Sequence, residues 1–105
     1  MTIEKLEEDI RENVALLLYF SAPSCNVCKA LKPKLFDAIE SRFDRFKIVS
    51  VDISETPEIA AHFNVFAIPT ALIFLDGREF MRKSRNMSID ALVKEIERPY
   101  NIMLS

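Results

Sequence analysis

Residues 14–33 read VALLLYFSAPSCNVCKALKP, and the fold turns on how this stretch divides. Val14 to Phe20 is apolar on both alternating sets, so it predicts a strand buried on both faces. Such a strand favours a parallel sheet covered by helices on either side. Ser21-Ala22-Pro23-Ser24 then forms a short link to Cys25, where a long helical stripe begins. Ala30, Leu31, Leu35, Ala38, Ile39 and Phe43 mark that stripe from Cys25 to about Phe43, and Pro33 is expected to kink the helix near its second turn.

The rest of the chain supplies partners for this strand–helix pair. Thr2 reads as an N-cap, and Ile3, Leu6 and Ile10 recur at helical spacing, which predicts an amphipathic helix over 2–12. FKIVSVDI (46–53) is a second strand, rich in branched residues. TPEIAAHFN (56–64) reads as a short helix with Thr56 as N-cap, Pro57 in the first helical position and Asn64 in the usual glycine role at the C-terminal stop. TALIFLDGREFMRKS (70–84) is a hairpin whose Asp76-Gly77 turn suits type I′ geometry. A last helix starts at Ser88, carries Ile89, Leu92, Val93 and Ile96 on one face, and is expected to end before Pro99. YNIMLS (100–105) has no assignment.

This α-β-α-β-α-β-β-α order has no linker, repeat or low-complexity segment, so the 105 residues are expected to form a single domain. Half the residues are apolar, enough for a real core. Strand–helix–strand followed by a hairpin predicts a small mixed sheet, with the first strand central by the right-handed crossover rule. One layer of sheet between two of helix is the expected architecture. Gly77 is the only glycine, so other turns and helix stops must use Asn, Asp, Ser or Pro.

Composition also excludes function classes. Fourteen Lys and Arg against sixteen Asp and Glu, with no basic block, argue against a nucleic-acid partner. The apolar runs are too short to cross a bilayer. MTIEKLEEDIREN has neither a basic n-region nor a continuous apolar h-region, so no secretory signal is read there and the chain is expected in the cytoplasm. Two cysteines in a reducing compartment make a structural disulfide the weaker reading.

Cys25 and Cys28 carry the chemistry. The start of a helix presents unpaired N–H groups and partial positive charge, which stabilise a thiolate. That interaction is worth up to ~2 kcal/mol, which lowers a free thiol pKa of about 8.5 by roughly one unit or slightly more. Cys28 lies one turn inside, with Cβ atoms at i and i+3 about 5–6 Å apart, so modest local adjustment brings the sulfurs into bonding range. Exposure makes Cys25 the attacker and Cys28 the resolver in thiol–disulfide exchange. The competing reading takes both as small buried hydrophobes, as free cysteines often are. A closed zinc site needs four ligands, and two cysteines with the single His62 cannot supply them within one chain. His62 reads as a helix-surface residue.

From about Asn13 to Pro99 the chain resembles the thioredoxin family. The first strand, SAPSCNVCK, Pro33 five residues after the second cysteine, VDI at the end of the next strand, NVFAIPT and the Asp-Gly hairpin come in the family's order. The resemblance implies a thioredoxin-like α/β fold, a three-layer α/β/α sandwich with a four-stranded mixed sheet in the order 2-1-3-4. The family's usual first edge strand is expected to be absent, because Cys25 comes too early to leave room for more than Met1 to Ile3. It implies that Pro69 is a cis proline beside the cysteines, and that Phe66, Ala67, Ile68, Pro69 and Thr70 form a rim on which an extended substrate segment pairs as an added strand. An ordinary proline at a strand start is the rival reading of Pro69.

Departures from the family pattern bear on activity. The usual Trp-Cys-Gly-Pro-Cys is here Ser24-Cys25-Asn26-Val27-Cys28, so the aromatic cover and the rigid proline between the sulfurs are gone. Ser24, Asn26, Val27 and Lys29 therefore tune the redox poise differently. Tyr19 stands where the family keeps a buried acid, and reads as core packing with a hydrogen-bonded hydroxyl. Ile48 replaces that acid's usual lysine neighbour. The implied activity is a specialised protein-disulfide oxidoreductase with no cofactor and no metal. It is expected to be a monomer, acting on protein disulfides and taking electrons from small thiols or a flavin-dependent reductase. The alternative is a thioredoxin-like binding module whose rim grips a partner while the cysteines turn over weakly or not at all.

Overall fold

The computed structural model describes residues 1–105. Four strands, β1 (Ala15–Ser21), β2 (Phe46–Asp52), β3 (Thr70–Leu75) and β4 (Arg78–Ser84), form one sheet in the order β2-β1-β3-β4. β1 runs parallel to β2 and antiparallel to β3, so it is central, and the family's extra edge strand is absent. Ile3 instead opens the first helix, α1 (Ile3–Glu12). The sheet is flanked by α1, α2 (Asn26–Arg42), α3 (Pro57–His62) and α4 (Ile89–Leu104).

The apolar run of the central strand divides by alternation. Ala15, Leu17 and Tyr19 face a core built with Leu35, Ile39 and Phe43 and with Leu92, Val93 and Ile96 of α4. Leu16, Leu18 and Phe20 face the other core, with Leu6 and Ile10 of α1 and Ile59, Ala60 and Phe63 at α3. All six residues from Ala15 to Phe20 are 0% exposed, so each face of β1 is covered by its own pair of helices. This is the three-layer sandwich that a strand without a polar face requires. Every buried side-chain polar atom has a hydrogen-bond partner.

Local signals behave largely as their chemistry dictates. Thr2 and Ser88 cap α1 and α4 by accepting the Lys5 and Ala91 N–H groups. Asn64 takes the left-handed conformation past α3 (φ 56°), and Asp76 and Gly77 both have positive φ in the two-residue hairpin turn. Thr56 precedes α3 without a side-chain cap; its hydroxyl donates to the Asp52 carbonyl instead. Pro33 lies inside α2 and does not end it. Its missing N–H leaves the Lys29 carbonyl without a helical donor, on an exposed face where water can serve.

One expectation is corrected: α4 does not stop before Pro99 but runs through it to Leu104. Tyr100 is the reason. Its ring packs edge-on against Phe43 (4.8 Å) and stacks with Phe46 (5.8 Å). Its hydroxyl accepts the Arg45 N–H and donates to the Asp44 carboxylate. That packing outweighs the single hydrogen bond lost at proline, whose unmatched acceptor, the Glu95 carbonyl, belongs to an exposed residue.

Candidate active site

The central strand delivers the cysteines to one end of the sheet. After Ser21 the chain turns, with the Cys25 N–H donating to the Ala22 carbonyl at 3.0 Å. Cys25 is the N-cap of α2, in extended conformation (φ −89°, ψ 101°), and its sulfur accepts the Cys28 N–H at 3.2 Å. The cap conformation supplies the adjustment that a regular helical i,i+3 pair lacks. The Cα atoms stand 5.3 Å apart and the two sulfurs are joined as a disulfide. Cys25 is half-buried, whereas Cys28 is 1% exposed.

Tyr19 lies beneath this turn. It is 0% exposed, its hydroxyl donates to the Cys28 carbonyl at 2.9 Å, and its ring meets Phe36 edge-on at 5.5 Å. Burial pushes the phenol above its ordinary pKa, so it holds its proton near neutrality and serves no basic function there. Ile48 is half-buried against the same core. Beside Cys28, a cleft of about 270 Å³ is lined by Lys29, Lys32, Ser50 and Asp52. The Asp52 carboxylate is held below its usual range by hydrogen bonds from the Ser54 hydroxyl (2.6 Å) and Ser54 N–H (2.9 Å).

The second loop reaches the same end of the sheet because Thr70 pairs with Phe20 in antiparallel register. Pro69 is buried and the Ile68–Pro69 peptide is cis. The Thr70 hydroxyl donates to the Ala67 carbonyl at 2.7 Å, closing the loop on itself. Phe66 stands 86% exposed at its tip, Ala67 is exposed and Ile68 half-buried. On the cysteine side, Ser24, Asn26, Lys29 and the 44% exposed Val27 are open to solvent. His62 is a surface residue, paired with Glu7 of α1 at 2.9 Å. No three His, Cys, Asp or Glu side chains converge as a metal site, and no helix is long and apolar enough to cross a membrane.

The sequence reading missed Glu79 and Arg82; the Arg82 guanidinium donates to the carbonyls of Phe63 and Asn64, at the base of the loop that carries Phe66. On a regular strand, residues three apart face opposite sides. Here Ile73 pairs with Met81 and Phe74 with Glu79, so Phe80 is an extra residue that returns Glu79 and Arg82 to one face. Glu79 and Arg82 then make a two-pronged ion pair, both contacts at 2.8 Å. A Glu and an Arg close together on an edge strand are the only local signal of this arrangement.

A Cys25–Cys28 pair at a helix start, on this sheet order, defines a thiol–disulfide exchange protein. The family model Thioredoxin matches residues 1–98, and the chain belongs to that family. Thioredoxin-like protein YdfQ of Bacillus subtilis is 30% identical over 101 residues, covering 96% of this chain and 89% of the relative. The thioredoxin of Chlamydia trachomatis is 33% identical, covering 88% of this chain and 92% of its own length. Among solved structures, oxidised mitochondrial thioredoxin 3 of Saccharomyces cerevisiae superposes with a TM-score of 0.78 at 29% identity, covering 90% of this chain and 88% of that one. Thioredoxin 1 of Thermosipho africanus gives 0.76 at 34% identity, with 86% and 99% covered. The protein is a thiol–disulfide oxidoreductase, and Cys25–Cys28 is its redox-active pair.

Proposed function

We propose that Cys25 attacks disulfides in protein substrates and that Cys28 resolves the mixed disulfide. The observation that carries this reading is the unequal placement of the sulfurs: Cys25 caps α2 and is half-buried, whereas Cys28 is buried one turn inside. In the reduced protein the Cys25 thiolate attacks one substrate sulfur and expels the other as a thiolate. Cys28, its proton released to solvent, then attacks the Cys25 sulfur; the substrate departs as a dithiol and the Cys25–Cys28 bond forms. Two electrons pass to the substrate, and small thiols or a flavin-dependent reductase return them.

The Cys28 N–H aimed at the Cys25 sulfur supports the attacking role, because such a bond strengthens when its acceptor becomes a thiolate. Phe66 to Thr70 are the rim for an extended substrate segment, with Phe66 as an apolar contact. Ser24, Asn26, Val27, Lys29 and the buried Tyr19 set the poise of the pair. A specialised substrate range is supported by the small Ser24 in place of an aromatic cover and by the projecting Phe66. A cytoplasmic setting is supported by cysteine usage, since both thiols lie in the exchange motif and none forms a separate structural bridge.

The test is a Cys28→Ser variant incubated with cell extract. It should accumulate mixed disulfides at Cys25 that dithiothreitol releases, and Cys25→Ser should accumulate none. If neither thiol exchanges and a variant with both changed to Ser still holds the same partners, the molecule is a binding module.

A further inference from the structure

We propose that Arg82 is a positioning residue for substrate recognition, holding the base of the rim loop so that Phe66 is presented to a protein substrate already ordered. This rests on the rim reading above. Arg82 engages four acceptors at once. Its Nε and one Nη meet the two oxygens of Glu79 at 2.8 Å; the guanidinium also donates to the carbonyls of Phe63 (2.9 Å) and Asn64 (3.0 Å).

Those carbonyls lie at the end of α3, where helical acceptors lack intrahelical donors. Asn64 occupies the left-handed turn from which the chain departs toward Phe66, and the Val65 N–H is fixed to the Ala60 carbonyl at 2.8 Å. Downstream, the Thr70 hydroxyl holds the Ala67 carbonyl. Phe66 is thus an 86% exposed aromatic on a loop pinned before and after it. An apolar side chain exposed on a rigid base loses little freedom on binding, which is how preorganisation favours association. A cleft of about 190 Å³ opens between the loop and β4, lined by Phe66, Ala67 and Thr70 on the loop and Arg82 and Ser84 on β4. The occupant this geometry fits is an extended protein segment with an apolar side chain near its disulfide. None of the hydrogen bonds of Arg82 reaches either cysteine.

The deciding experiment is steady-state reduction of insulin disulfides by wild type, Arg82→Gln, Phe66→Ala and the double variant, with the midpoint potential measured for each. Arg82→Gln should raise KM about three- to tenfold, the scale of ordering one interface side chain at binding, while kcat and the potential hold. In the Phe66→Ala background the same change should add little, because the loop then has no anchor to present. If Phe66→Ala raises KM and Arg82→Gln does not, the positioning role is wrong and the rim reading stands. If Phe66→Ala leaves KM unchanged, both fall. Should Arg82→Gln fail to fold, Glu79→Gln, which weakens the brace while keeping both carbonyl contacts, must raise KM and speed amide exchange at Val65 and Phe66. Unchanged KM and exchange in that variant overturn the proposal.

Discussion

The phenolic hydroxyl of Tyr19 donates to the main-chain carbonyl of Cys28 across 2.9 Å, within the core. The bond ties the central strand to the first turn of α2 and sets the depth of the buried cysteine against the sheet. Replacing Tyr19 by Phe keeps the ring against Phe36 and deletes one buried hydrogen bond, so unfolding in urea should show a loss of about 1 kcal/mol. The pH profile of disulfide exchange should be unchanged near neutrality, since a phenol with a raised pKa trades no proton there. A profile displaced by the substitution overturns that assignment.

The helix start makes a second expectation. With the pair reduced, alkylation of Cys25 should titrate below the free thiol value of about 8.5. Cys28, buried and one turn inward, should react far more slowly with the same reagent. Equal reactivity of the two thiols contradicts the assignment of attacker and resolver.

Alkaline stability should reflect the two buried phenols. Burial raises the pKa of Tyr19 and of Tyr100, so the native state retains protons that the unfolded chain releases above pH about 10. Their contribution is full below that value and is lost as pH rises through the folded values. The denaturation midpoint should therefore fall as pH rises above about 10, with part of the fall removed in Tyr100→Phe. A midpoint that climbs across this range contradicts the sign.

Acid acts on the opposite class of group. Hydrogen bonds from Arg82 hold the Glu79 carboxyl below its usual range, and those from Ser54 do the same for Asp52. What they contribute is present above the ordinary carboxylate pKa of about 4 and is lost as pH falls through the lowered folded values. NMR titration should find both carboxyls low in the native protein, and Arg82→Gln should return Glu79 to the ordinary range while leaving Asp52 low. If Glu79 titrates normally in the wild type, the brace does not persist in solution.

Tyr100 should anchor the end of α4. Tyr100→Ala removes a ring buried against Phe43 and Phe46 together with its hydroxyl partners, at a cost of about 3–5 kcal/mol. Ending the chain after Arg98 should destabilise it comparably, as read from the denaturant midpoint. A tail that can be removed without loss contributes nothing to the core.

Much of the fold was legible locally, because the deciding contacts lie within a turn or a strand. Val14 to Phe20 announced a strand covered on both sides, Asp76-Gly77 a tight hairpin, and Ser88 a helix start. At the site, the spacing of Cys25 and Cys28 and their position after a strand announced paired sulfurs at a helix tip. Pro99 misled for the same local reason: proline removes a helical hydrogen bond, and the sequence nearby does not show that Tyr100 has aromatic partners far earlier in the chain.

By itself, then, the sequence determined the order of elements, the two faces of the central strand and the redox pair, all of which follow from periodicity and spacing between near neighbours. Tertiary structure alone decided that α4 continues past Pro99 and that Arg82 braces the loop of Phe66. The first depends on aromatic packing between distant segments. The second depends on Phe80, whose extra place in β4 turns Glu79 and Arg82 to one face and brings the guanidinium to carbonyls at the end of another element.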